Sequence, residues 1–240
     1  MAGNPTSDTI ALVTGSNKGL GFELIRQLSR AGITAILSAR NESAGKEACR
    51  KLQAEGLPVN FVRLDVTDPV SISAAAEFIR NTYGKLDILI NNAGILPDED
   101  SEASGLHVSP DLVRRVFETN TLGPLQVCQA MIPLIRLSSA GRILNISSGL
   151  GSLNDMDRGY PAYRISKAAL NAVTRILAAE LIGTGITVNS ICPGWVQTDM
   201  GGPNAERTPA QSVAGIIPVL LSKQDRPNGE FLRDGKPIPW

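Results

Sequence analysis

Short apolar runs rich in Val, Ile and Leu alternate along the chain with longer segments whose apolar positions recur at helical spacing. The runs fall at Thr9 to Thr14, Ile33 to Ser38, Val59 to Leu64, Leu86 to Asn91, Gly141 to Ser147, Gly185 to Ile191 and Gly229 to Arg233. Strands that are apolar almost throughout, rather than at every second position, are buried on both faces, so these seven runs predict a parallel sheet covered by helices on each side. Right-handed crossovers then give a doubly wound α/β fold. Its ligands bind beyond the carboxyl ends of the strands, where the winding direction reverses.

No internal repeat, low-complexity tract or composition break interrupts the 240 residues, which read as one domain, 1–240, with a substrate pocket built on the strand ends and the loop near 199–209. Loops are expected at Pro97 to Pro110 and Met200 to Pro209, both rich in Gly, Pro, Ser and acidic residues.

The first run leads into Thr14-Gly15-Ser16-Asn17-Lys18-Gly19-Leu20-Gly21 and then into an amphipathic helix beginning at Phe22. Glycines in such a turn let a pyrophosphate approach the backbone, and the helix N-terminus offers unpaired N–H groups and the positive end of its dipole. The second run ends Ser38-Ala39-Arg40, with no carboxylate where NAD-selective folds hold the ribose hydroxyls. Arg40 and Lys18 together predict a clamp on a 2′-phosphate, and hence NADP(H) as cofactor.

Charge and rare residues narrow the chemistry further. The formal net charge is zero and Lys and Arg are scattered, so neither a nucleic acid nor an anionic membrane is an expected partner. The N-terminus lacks the basic start and apolar stretch of a signal peptide, and no run reaches the length of a membrane span, which reads as a cytoplasmic protein. Cys49, Cys128 and Cys192 are expected to be free, buried thiols. His107 is the only histidine, which argues against a Ser-His-Asp hydrolase and a zinc centre; no metal is expected, and His107 receives no role.

Candidate chemistry gathers in Tyr163-Arg164-Ile165-Ser166-Lys167, at the start of a long helix whose spacing puts Tyr163 and Lys167 on one face. An ammonium roughly 5 Å away at an effective dielectric of about 20 would stabilise a phenolate by about 3 kcal/mol, lowering the tyrosine pKa by about two units. The preceding strand ends Asn145-Ile146-Ser147-Ser148-Gly149, so either Ser147 or Ser148 can donate to a substrate carbonyl. Asn120 is a poor helix-interior residue and therefore needs a specific partner.

With these residues in place, the sequence resembles the ordinary, single-domain branch of the short-chain dehydrogenase/reductase family over nearly its whole length. The family's glycine turn is matched from Thr14 to Gly21, and its adenine-contacting aspartate by Asp65 in Leu64-Asp65-Val66. Its NNAG segment is matched by Asn91-Asn92-Ala93-Gly94. The resemblance implies a Rossmann-type fold and a tetrad of Asn120, Ser148, Tyr163 and Lys167. It also implies cofactor contacts from Gly15, Asn17, Lys18, Gly19, Leu20, Gly21, Arg40, Asp65, Val66, Asn92, Ala93 and Gly94, from Tyr163 and Lys167, and from Pro193, Gly194, Val196 and Thr198.

The pairing of Lys18 with Arg40 resembles the NADPH-using carbonyl reductases, which implies reduction of ketones or aldehydes with Tyr163 as acid. Ser148 to Tyr163 is only slightly longer than the family norm, without the long insertion of the monomeric animal reductases, which implies a homodimer or homotetramer. Leu96, Leu150, Leu153, Met156, Tyr160, Trp195 and Met200 flank the strand ends as an apolar wall for a small carbonyl or alcohol substrate, in a pocket expected to be fairly open. Competing readings are a 3-oxoacyl reductase, an alcohol or sugar-alcohol dehydrogenase working oxidatively, and an NADPH-binding regulator without turnover.

Overall fold

The computed structural model describes residues 9–222 and 226–240; the N-terminal segment read above for targeting signals lies almost wholly outside them. In chain order the elements begin β1 (Ile10–Val13), α1 (Gly19–Arg30), β2 (Thr34–Ala39), α2 (Glu42–Ala54), β3 (Val59–Arg63), α3 (Pro69–Tyr83) and β4 (Ile88–Asn91). They continue with α4 (Asp98–Ser101), α5 (Pro110–Phe117), a π-helical turn (Glu118–Leu122), α6 (Gly123–Ile135), β5 (Arg142–Ile146) and a short 3-10 turn (Gly149–Gly151). The last are α7 (Pro161–Glu180), β6 (Thr187–Ile191), α8 (Pro209–Leu221), β7 (Phe231–Arg233) and β8 (Lys236–Pro237).

The strands form one sheet in the order β3-β2-β1-β4-β5-β6-β7-β8. All pairings are parallel except β7 with β8. All seven expected strands are present, and the eighth corrects the seven-stranded expectation: the C-terminal tail turns back through Asp234 and Gly235, both at positive φ, and pairs antiparallel with β7. Winding reverses between β1 and β4, where Leu12 lies between Ile36 and Leu89.

Side-chain alternation sorts the buried strand residues onto two faces. Ala11, Val13, Leu37 and Ile90 pack against Leu24, Ile25 and Leu28 of α1, Leu52 of α2 and Val213 and Ile216 of α8. Leu12, Ile36, Leu89 and Ile143 meet Ile72 and Ile79 of α3, Val127 and Met131 of α6 and Leu177 of α7. Each fully buried Leu or Ile contributes about 2 kcal/mol relative to exposure, so both layers of helices are held by the sheet rather than by local propensity.

Two local expectations are corrected. α1 begins at Gly19, not Phe22, so the last glycines of the turn form the first turn of the helix itself. The loop expected from Pro97 to Pro110 contains α4, whose Asp98-Glu99-Asp100 start places acidic side chains at a helix N-terminus, where the dipole favours them. Among the described residues no helix is long and apolar enough to cross a membrane, and no group of three or more His, Cys, Asp or Glu side chains is placed to hold a metal.

Candidate active site

The carboxyl ends of β1 to β6 open onto a single cleft of about 1320 Å³. Every residue expected to touch a cofactor lines it, as do Ser148, Tyr163 and Lys167 of the expected tetrad; Asn120 lies just behind its wall.

The glycine turn is held from the neighbouring strand. Asn92, just after β4, donates its amide to the Thr14 and Gly15 carbonyls at 2.9 and 3.0 Å, and Thr14 Oγ1 accepts from the backbone N–H groups of Asn92 and Ala93 at 3.0 Å each. Gly15 has φ +60°, and a Cβ there would sit 2.8 Å from Ala93 Cα. On Gly21 it would sit 2.5 Å from Asn92 Nδ2 and 2.7 Å from Ser16 Cα. Neither side chain has room, because Ala93, Asn92 and Ser16 pack against the two glycines and close the turn tightly.

At the far end of this half, Arg40 lies exposed at the cleft, with no carboxylate within ion-pair distance among the described residues. Lys18 instead reaches across the cleft to Asp199, at 2.5 Å, and both side chains are largely exposed. The ammonium holds the Asp199 carboxyl below its usual range. Asp65 Oδ1 accepts from the backbone N–H and hydroxyl of Thr67 at 3.0 and 2.8 Å, which fixes the carboxylate at the mouth. Donors and acceptors for a phosphorylated dinucleotide are therefore present along the first half of the cleft.

The catalytic half is assembled from β5, α7 and the π-helical turn. Ser148 caps the 3-10 turn, accepting from Leu150 N at 3.2 Å, and its side chain is near enough to the Tyr163 phenol to favour the phenolate. Ser147 is buried, its hydroxyl directed to the Lys167 carbonyl at 3.5 Å, so the structure separates the two serines that residue type alone left open. Gly151 lets the turn close on α7, since a Cβ there would sit 2.6 Å from Lys167 Cβ.

Asn120 is fully buried in the π-helical turn, a distortion often found at functional sites. Its amide donates to the Ile95 carbonyl at 2.9 Å and to Ser166 Oγ at 3.1 Å, while its Oδ1 accepts from Ile95 N at 2.8 Å. The space left by the absent side chain of Gly94 is bordered by Asn120 Oδ1 and Lys167 Nζ, 3.2 and 3.7 Å from where a Cβ would lie.

The electrostatics correct one expectation. Burial pushes the Tyr163 phenol up to about 12, against the smaller opposing effect of the nearby Ser148 side chain. Lys167 is not among the causes: its ammonium lies 5.5 Å from the centroid of the Tyr163 ring and donates to the Ile146 carbonyl at 2.7 Å. Four-residue spacing placed the charge over the ring face rather than on the hydroxyl. Burial also lowers Lys167 to about 8.

One residue that positions the site escaped sequence reasoning. The N-cap of α7, Tyr160, has φ +52° and makes no side-chain cap. Asp100 of α4 supplies one from elsewhere in the chain, fully buried and accepting from Ala162 N at 3.0 Å and Tyr163 N at 2.8 Å. Its position in an acidic, loop-like stretch gave no signal of this contact. Of the expected apolar wall, Leu96, Leu150, Tyr160, Trp195 and Met200 line the cleft, and Met200 Sδ lies 4.0 Å from the Tyr163 hydroxyl. Leu153 and Met156 do not; they are exposed outside it.

The segment after β6 closes on itself rather than forming an extended lid. Trp195 Nε1 donates to the Gly201 carbonyl at 2.7 Å, and Val196 pairs with Arg207. The closing tail is anchored on the body: the Trp240 ring stacks on Phe231 at 5.5 Å and receives the Arg175 guanidinium at 5.4 Å.

A family model described as short chain dehydrogenase matches residues 9–209. The chain belongs to the short-chain dehydrogenase family. Within that family it is 34% identical to carbonyl reductase [NADPH] 1 of Bos taurus, covering 98% of this chain and 99% of the relative. It is 33% identical to a (+)-neomenthol dehydrogenase of Arabidopsis thaliana, covering 92% and 94%. The fold superposes on an NADPH-bound carbonyl reductase from chicken fatty liver with a TM-score of 0.87 at 32% identity, covering 96% of this chain and 98% of the other. An NADP-bound short-chain dehydrogenase/reductase from Burkholderia multivorans gives 0.88 at 31% identity, covering 97% and 99%. The cattle alignment runs over 281 positions, more than the 240 residues of this chain, so the relative carries segments that this dehydrogenase lacks.

Proposed function

We propose that the protein is an NADPH-dependent carbonyl reductase that converts ketones or aldehydes to alcohols, with Tyr163 as the proton donor. The observation that carries the reading is the convergence of Ser148 and Lys167 on Tyr163 at the edge of a cleft whose other half is shaped for a dinucleotide. The relatives named for NADPH-dependent carbonyl reduction support it.

When bound, NADPH supplies the hydride that reduces the carbonyl carbon. The turn from Gly15 to Gly21 would hold its pyrophosphate, Arg40 and Lys18 its 2′-phosphate, Asp65 and Val66 the adenine side, and Pro193, Gly194, Val196 and Thr198 the nicotinamide end. Lys18 would leave Asp199 to do so at little cost, because both side chains are exposed and solvent screens the pair.

Ser148 donates to the substrate carbonyl oxygen and stabilises the negative charge that develops there. Tyr163 gives up its proton to the same oxygen; burial keeps the phenol protonated through neutral pH, which suits an acid in the reductive direction. Lys167, beside the Tyr163 ring, would hold the nicotinamide ribose, and a water in the space beside Gly94, bordered by Lys167 Nζ and held by Asn120 Oδ1, returns a proton from solvent. A second reading, oxidation of a secondary alcohol by the same groups in reverse, is favoured by the neomenthol dehydrogenase relative. We also read the enzyme as a homodimer or homotetramer, supported by the exposed Ile165 and Ile176 along α7.

The test is cofactor oxidation followed at 340 nm, with NADPH and NADH in parallel, against ketones, aldehydes, diketones and 3-oxoacyl thioesters, with Tyr163→Phe as control. Turnover that prefers NADPH and collapses in the control is the expected result. NADPH binding without turnover on any substrate would favour the regulator reading instead.

A further inference from the structure

At the substrate end of the cleft, among the described residues, one exposed guanidinium has neither an ion-pair partner nor a backbone carbonyl. Arg207 is bound bidentately by Asp234, at 2.7 Å for each contact. Arg164 is spent on the backbone carbonyls of Gly159, Arg158 and Leu150, and Lys167 on that of Ile146. Arg233, the last residue of β7, also lines the cleft, yet among the described residues its guanidinium meets only the Cys192 thiol, at 3.0 Å from Nη2 and 3.3 Å from Nε. A thiol sulfur is a weak acceptor, and a guanidinium has five N–H donors in a planar fork, so most of that fork is uncommitted.

Its placement is specific. A Cβ on Gly149 would lie 2.9 Å from Arg233 Nη2, so the guanidinium occupies the room that this glycine leaves beside the backbone. Gly149 directly follows Ser148, whose side chain lies near the Tyr163 phenol. An unpaired planar cation thus sits one residue from the group that would hold the substrate carbonyl. The same cleft carries Asp155, Asp157 and Glu206, which repel an anion from the rest of its mouth, and Asp234, whose two oxygens are already taken by Arg207.

We propose that Arg233 is a specificity residue that binds a carboxylate on the substrate, so that the preferred substrates are oxo acids whose carboxylate and ketone are separated by a short chain. The inference rests on the reductase reading and refines its substrate class. Two parallel N–H···O bonds from the free side of the guanidinium anchor the carboxylate, and Ser148 and Tyr163 receive the ketone oxygen.

The experiment compares 3-oxo, 4-oxo and aryl oxo acids with their methyl esters, for the wild type, Arg233→Gln and Arg233→Lys. In the wild type at least one acid is expected to exceed its ester in kcat/KM by about tenfold or more, the size of a charge-assisted contact. Arg233→Gln should erase that margin by raising KM for the acid, leaving kcat and the ester within about twofold. Arg233→Lys should keep part of it, having charge without the fork.

Esters reduced as well as every acid, or an acid preference that survives in Arg233→Gln, would overturn the proposal while leaving the reductase reading intact. Reduction of neither series would count against the reductase reading. Calorimetric titration of the same acids and esters into the protein with NADPH then decides on Arg233, with tighter acid binding lost in Arg233→Gln as the supporting result and equal binding as the opposing one.

Discussion

The two halves of the cleft are built differently. The cofactor half is made mostly by two short stretches that each carry several site residues in a row, the turn from Thr14 to Gly21 and the Asn92-Ala93-Gly94 segment, which are 77–79 residues apart at their contacts and hold each other across adjacent strands. The catalytic half is made by contacts between distant parts of the chain, with Asp100 capping the helix of Tyr163 and the tail's Arg233 resting on Cys192. A stretch that carries several site residues in a row shows its role in its own residue types, whereas a single side chain brought in from elsewhere in the chain looks ordinary in its own neighbourhood.

The largest separation of the halves is expected from Tyr163→Phe. Removing the proposed general acid should lower kcat for ketone reduction by about 10²–10⁴-fold. NADPH affinity, measured by fluorescence titration, should stay within a few-fold because Phe keeps the ring and the turn from Gly15 to Gly21 is untouched. The opposite break is Gly15→Ala, where a Cβ 2.8 Å from Ala93 Cα at φ +60° has no room. A stability loss of about 1–3 kcal/mol is expected in thermal unfolding, together with weaker NADPH binding. Unchanged binding would mean that the turn is not the phosphate site.

Asp100→Ala tests the long-range contact. Losing a buried cap should cost about 1–2 kcal/mol and lower kcat with little change in NADPH affinity, and Asp100→Asn should recover part of both. The pH dependence sharpens the same half. The Tyr163 phenol, raised to about 12, stays protonated, while Lys167, lowered to about 8, loses its charge as pH rises. The rate of reduction should therefore be level well below pH 8 and fall as pH rises through it. Lys167→Arg, which cannot deprotonate, should remove that fall in whatever activity it retains. The smallest effect is expected from Trp240→Ala, about 1 kcal/mol for one stacked ring and its cation contact, read as a lower melting temperature.

The strands and the location of the cleft at their carboxyl ends were legible because apolar runs and helical periodicity are local signals, and packing on the two sheet faces agrees with them. The glycine turn was legible for a steric reason now visible at Gly15 and Gly21. Ser147 and Ser148 could not be separated from residue type, because both are serines at the end of one strand and only the fold sends one inward and the other to Tyr163. The effect of Lys167 on the tyrosine was misjudged because helical spacing fixes a shared face but not where the long side chain's charge comes to rest. The eighth strand depends on a tail that has no apolar run of its own and pairs only because β7 offers an open edge.

By itself the sequence determined the doubly wound sheet, the dinucleotide-shaped turn and the helix that presents Tyr163 and Lys167 together, since each follows from residues a few positions apart. Only the tertiary structure decided that Asp100, 62 residues before Ala162, caps that helix, and that Arg233, 41 residues after Cys192, faces the site without a carboxylate partner. These pairings are set by where packed layers bring the chain back to itself. A buried carboxylate such as Asp100 reveals its partners only when the desolvated space around it is formed.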